Sequence, residues 1–138
     1  MNLKEKISWI KKADKNTFDK VLGVKYKKLS LKKVEATIRV TKSLKQPFGL
    51  LHGGVHLAFA ESLASIGGWL NAPPGKNIVG IELNGNHLRA ITSGTIRGVA
   101  APVYIGRRTQ VWEIKIYQNK DLAHVARCTL MAVNAHNK

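Results

Sequence analysis

Cysteine occurs once in the 138 residues, at Cys128. A single thiol builds neither a disulfide framework nor a thiolate metal site, and the setting it implies by default is reducing and cytoplasmic. Acidic residues are scarce as well: 8 Asp and Glu stand against 23 Lys and Arg, for a net charge of +15. Long apolar runs are lacking except between Gly54 and Leu70, 17 positions that include His56, Glu61, Ser62 and Ser65. That is short for a membrane span, and a carboxylate at its centre is costly in lipid, so no span is expected. The first residues, MNLKEKISWIKKADKN, carry lysines but no continuous apolar region and no small-residue cleavage site, so they do not read as a secretory signal. No repeat, low-complexity tract or linker divides the sequence. Its length and 44% hydrophobic content fit one domain over 1–138, with residues 1–22 as a helical extension.

Excess positive charge attracts polyanions such as nucleic acid, acidic membranes or phosphorylated cofactors. Eleven lysines fall within residues 1–33, against the acids Glu5, Asp14 and Asp19. The plain reading of that segment is a solvated basic surface. A nucleic-acid-binding protein is the rival that the charge suggests. It would also carry a helix-turn-helix, a zinc pattern or interleaved aromatic and basic residues, and none of these is seen.

Periodicity supplies the elements. Leu3, Ile7 and Ile10 share a helical face with Trp9 beside it, and a second short helix follows, with Asn16 as its expected cap and Gly23 as its stop. VKYKKLSL reads as a first strand. In KVEATIRVT, Val34, Ala36, Ile38 and Val40 alternate with polar residues, the pattern of a half-buried strand. After a loop at Gln46–Gly49 comes the long apolar helix, about 54–70, closed by a breaker at Ala72–Gly75. Four strands complete the chain. Gly80 and Gly85 are expected to mark bulges in the first of them, and Trp112, Ile114 and Ile116 to share the inner face of the third. Strands around one central helix argue for an α+β fold with an antiparallel sheet. A helix apolar nearly all round must be covered on every side, and a second copy of the chain is the expected cover beyond the sheet.

Glu61 lies in the middle of that helix. One reading is structural: Glu61 points into solvent, or an ion pair with Arg89, Arg97, Arg107 or Arg108 relieves the cost of burying it. The other is chemical. His52, Gly53 and Gly54 stand where the helix starts, and a helix start leaves backbone N–H groups unsatisfied at a partial positive charge. A carbonyl oxygen would find the Gly53 N–H there and a side-chain amide at Gln46, the makings of an oxyanion site. A nearby carboxylate could attack the carbonyl carbon or activate water. Gly53 and Glu61 are separated by about 12 Å along one helix, so two chains side by side would join them more easily than one. A metal site built on His52 and His56 is not expected, since no carboxylate or cysteine stands at ligand spacing. Cys128 reads as a core residue of its strand.

The motifs QPFGLLHGG, AES, GIELNGNH and RTQVWEI, in this order, make the chain resemble the hotdog-fold acyl-CoA thioesterases. Within them it is similar to the hydroxybenzoyl-CoA and dihydroxynaphthoyl-CoA (PaaI-like) group over residues 20–135. The resemblance implies a six-stranded antiparallel sheet wrapped around one long helix, assembled as dimers and then homotetramers. It assigns Glu61 as nucleophile or general base and Gly53 as the backbone donor to the thioester oxygen. Gln46 and His52 become polarising and orienting residues, and Ser65 holds the water or the carboxylate. His87, Arg89, Arg107 and Arg108 fall where the family meets coenzyme A, whose phosphates suit arginine. Coenzyme A enters as part of the substrate, and no metal or organic cofactor is expected. Phe48, Phe59, Ile66 and Trp69 are candidate walls for an aromatic or medium-sized acyl group. Dihydroxynaphthoyl-CoA of the menaquinone pathway and misloaded carrier proteins are the substrates known in this neighbourhood. A non-catalytic acyl-CoA-binding hotdog module is the alternative, against which the placement of Glu61 speaks.

Overall fold

The computed structural model describes residues 1–135. Helix α1 (Leu3–Ala13) begins with a reciprocal cap, in which Asn2 Oδ1 accepts from Glu5 N and Glu5 Oε2 accepts from Asn2 N. Helix α2 (Phe18–Leu22) is capped by Thr17, whose side chain accepts from Lys20 N, rather than by Asn16. It stops at Gly23, where φ is 75°. Strands β1 (Lys25–Leu29) and β2 (Val34–Arg39) follow, and then the long helix α3 (Gly53–Leu70). Strands β3 (Lys76–His87), β4 (Thr95–Ile105), β5 (Thr109–Gln118) and β6 (Asp121–Asn134) complete the chain.

The six strands form one antiparallel sheet in the order β1-β2-β4-β5-β6-β3. Val34, Ala36 and Ile38 of β2 and Trp112, Ile114 and Ile116 of β5 are fully buried on the face that meets α3, as their alternation requires. The helix lies close to this face because glycine stands at the contact: a methyl group added at Gly67 would come within 2.5 Å of the Trp112 ring. Polar atoms in this dry layer are paired. Trp112 Nε1 donates to Gln110 Oε1 at 2.9 Å, and Gln110 Nε2 donates to the Gly68 carbonyl at 3.1 Å.

The face of α3 away from the sheet is covered in part by the chain's own N-terminal helices. Trp9 packs on Trp69 with ring centroids 5.1 Å apart. Ser62 Oγ donates to Asp19 Oδ1, and Tyr26 Oη donates to Asp19 Oδ2. Lys6 Nζ donates to the Trp69 carbonyl at 2.7 Å and to Ala72 at 3.3 Å, placing a cation at the negative end of α3. At least this lysine of the basic segment therefore has a structural partner. A register shift between Gly80 and Glu82 confirms one expected bulge, whereas Gly85 pairs in continuous register with Ala126. No helix among the described residues is long and apolar enough to cross a membrane.

Candidate active site

Backbone donors gather where α3 begins. His52 precedes the helix in extended conformation, and its Nδ1 accepts from Gly54 N at 2.8 Å. That ring nitrogen is committed to capping the helix. The Gly53 N–H, at the first helical position, has no protein acceptor among the described residues. Gln46 presents its amide beside it. Its Oε1 accepts from Phe48 N at 2.5 Å and Leu50 N at 3.4 Å, so the loop fixes the oxygen and leaves the NH2 to donate elsewhere. Gln46 and Gly53 line a cavity of about 310 Å³ together with His56, His87 and Arg89. Four of the predicted site residues thus meet in one place.

Glu61 and Ser65 meet in another. They line a cavity of about 360 Å³ with Phe18, Asp19, Ser62 and Ile66. The side chain of Glu61 packs over Gly80 on β3, where only a glycine leaves it room. Among the described residues no Lys or Arg lies within ion-pair distance of it: Arg89 pairs with Asp121 at 3.3 Å and Arg97 with Glu35 at 3.4 Å. The ion pair is therefore not observed. Glu61 is half-buried, open to a cavity and, among the described residues, unpaired by any cation.

Arg107 and Arg108 are exposed on the hairpin joining β4 to β5, where the Arg108 carbonyl accepts from Ala132 N. His87 pairs with His124 toward the other end of β6. Roughly 26 Å of strand separates the two places at about 3.3 Å per residue, so one chain does not bring the two arginines to the cavity of His87 and Arg89. The candidate acyl walls also divide. Ile66 does line the cavity of Glu61. Phe59 is fully buried in the core against Gly98, because its helical position faces the sheet, and it is no pocket wall. Phe48 is 90% exposed on its loop, and Trp69 is taken up by Trp9. Phe18 and Asp19 were missed, since nothing in the spacing of α2 tells that it folds back over α3. Cys128 is buried as expected, and burial, together with the charges of Glu61 and Glu82, pushes its thiol up to about 12.

Sequence reasoning also missed a histidine cluster. His56 does not pair with His52. It stacks on His124, with centroids 5.0 Å apart and planes 5° apart, and lies 5.6 Å from the ring of His87. Among the described residues no group of three His, Cys, Asp or Glu is arranged to hold a metal ion. The three histidines stand on α3, β3 and β6, so only the pairing of the strands could have brought them together on paper.

An antiparallel sheet wrapped around one long helix is the hotdog fold. The profile of the thioesterase superfamily matches residues 48–123. Proofreading thioesterase EntH of Klebsiella pneumoniae is 44% identical over 108 residues, 78% of this chain and 79% of that protein. The 1,4-dihydroxy-2-naphthoyl-CoA hydrolase of Escherichia coli is 41% identical over 99 residues, 72% of this chain and 73% of that protein. The crystal structure of a Haemophilus influenzae thioesterase matches with a TM-score of 0.85 at 38% identity, covering 91% of this chain and 88% of that one. The chain belongs to the thioesterase superfamily and is a thioester hydrolase.

Proposed function

We propose that this protein hydrolyses acyl-CoA thioesters at a site completed by two copies of the chain. One observation carries the reading: Glu61 is unpaired and lies over Gly80 on β3, while the donors it would work with face a different cavity of the same chain. Strand β3 is the edge of the sheet, with β6 on one side only and Val79 and Ile81 exposed at 41% and 52%. An open apolar edge strand invites pairing with a second copy, and a two-fold arrangement would carry Glu61 of each chain toward the donor corner of the other.

The thioester oxygen accepts from the Gly53 N–H and the Gln46 amide, which polarises the carbonyl carbon. The Glu61 carboxylate attacks that carbon or takes a proton from an attacking water, with the Ser65 hydroxyl beside it in the same cavity. The C–S bond breaks, the CoA sulfur leaves and takes a proton, and one water is consumed to give the free acid. Arg89 flanks the donor corner for the CoA moiety, and Arg107 and Arg108 reach it from another chain. The cavity of Glu61 combines the apolar walls Phe18, Ala58 and Ile66 with the polar Asp19, Ser62 and Ser65. It suits an aryl group bearing hydroxyls, in keeping with the dihydroxynaphthoyl thioester named for the E. coli relative.

Thiol release from a panel of acyl-CoA substrates tests this. Glu61→Gln is expected to lower turnover by about a hundredfold or more, the range for a positioned acid–base or nucleophilic group. Glu61→Gln and Gln46→Ala, each impaired alone, are then unfolded and refolded together. If the site is shared, mixed dimers restore roughly a quarter of wild-type activity, since half of the dimers each regain one intact site. Wild-type turnover in Glu61→Gln defeats the role of that residue, and an absence of restoration defeats the shared site.

A further inference from the structure

The histidine cluster behind the donor corner contains two rings that the hydrolytic reading does not use. His124 is fully buried and His56 is 3% exposed. His56 Nδ1 and His124 Nε2 have no hydrogen-bond partner. Burial first, then the proximity of the other rings, depresses both to about 4, so both are neutral at pH 7. His124 Nδ1 lies 3.1 Å from His87 Nδ1 across the β3–β6 pair, so one of these nitrogens donates and the other accepts.

The other end of the His124 ring decides which. Its Nε2 faces the backbone of Gly85: a methyl group added there would come within 2.6 Å of it. A proton on that nitrogen would point at a carbon-bound hydrogen with no acceptor, whereas a lone pair there receives weak C–H contacts. The proton of His124 therefore belongs on Nδ1 and is donated to His87. His87, accepting at Nδ1, then carries its own proton on Nε2. That nitrogen is the atom nearest Gly53, within 2.7 Å of where a methyl group on Gly53 would stand, and His87 lines the donor cavity.

We infer that His124 is a positioning residue, which holds His87 as its Nε2–H tautomer and so adds a third donor beside the Gly53 N–H and the Gln46 amide. His56 stacks flat on His124 and covers one face of its ring. The corner then presents three donors beside one another, which suits an oxygen that gains negative charge. The inference rests on the proposed placement of the thioester oxygen for its catalytic consequence, but not for the tautomer itself.

Nitrogen-15 spectra of histidine-labelled protein at pH 7.5 read the tautomer without substrate. The expected pattern is a protonated Nε2 on His87 and a protonated Nδ1 on His124, assigned by the signals lost in single variants. Either proton found on the opposite nitrogen overturns the inference. Kinetics supply the second reading. His124→Leu is expected to scramble the His87 tautomer and lower kcat by about tenfold or more at little cost in KM, the scale seen when the partner orienting a working histidine is removed. His124→Asn, whose amide can donate from the Nδ1 position, is expected to restore both. An unchanged tautomer and kcat in His124→Leu, or a loss of the same size in His124→Asn, refutes a positioning role. Should Glu61→Gln prove fully active, the tautomer measurement still decides this proposal independently.

Discussion

His56 and His124 give the folded chain a titration that the unfolded chain lacks. Each drops from 6.5 to about 4 on folding. Below pH 6.5 the unfolded chain takes up protons that the folded one refuses, so stability is fully present above pH 6.5 and is lost as pH falls toward 4. At about 1.4 kcal/mol per pH unit of displacement, the coupled pair contributes several kcal/mol over that window. Both rings lie beside His87 of β3, Arg89 lines the cavity of His56 with its guanidinium paired to Asp121, and no carboxylate lines that cavity. Urea midpoints measured at pH 7.5 and 5 are expected to fall steeply in the wild type, and less in a variant carrying His56→Phe and His124→Asn. The residues that carry chemistry were legible unevenly. Glu61, Gly53 and Gln46 stood out because a carboxylate inside an apolar helix and glycines at its start are locally odd. His124 sits in an ordinary alternating strand, and only the β3–β6 register gives it a partner.

Glycines set how closely α3 approaches the sheet, and two substitutions separate packing from chemistry. Gly67→Ala drives a methyl group into Trp112, a fully buried ring with nowhere to move, and is expected to cost about 1–3 kcal/mol in thermal or urea unfolding. Gly80→Ala meets only the tip of Glu61, which can swing aside. It is expected to unfold like the wild type yet lose most of its turnover, because the carboxylate is displaced; normal kinetics in Gly80→Ala would disconnect β3 from the position of Glu61. Strands β2 and β5 were readable because one face of each is dry, so the side-chain alternation is complete. The fold of α1 and α2 over α3 was not, since it depends on Trp9 meeting Trp69 and Asp19 meeting Ser62, contacts between distant segments that carry no local pattern. Gly85 was read as a bulge for want of the same information: it is small because the His124 ring lies against it.

At the scale of the whole molecule, the proposed shared site requires two copies to meet, and the open edge of the sheet at β3 is the surface proposed for that meeting. Ile81→Lys puts a charge on that edge without touching Glu61, Gly53 or Gln46. Light scattering is expected to show the chain reduced to monomers, with thiol release falling in parallel; an active monomer would contradict the shared site. The reaction also frees a sulfhydryl compound at every turnover, into whatever oxidants surround it. Where an oxidant converts that thiol to its disulfide, an exposed protein thiolate would attack the disulfide, form a mixed disulfide and release one free thiol. Cys128, sealed in the core and still protonated at neutral pH, takes no part in such exchange, so the catalyst is protected from its own product.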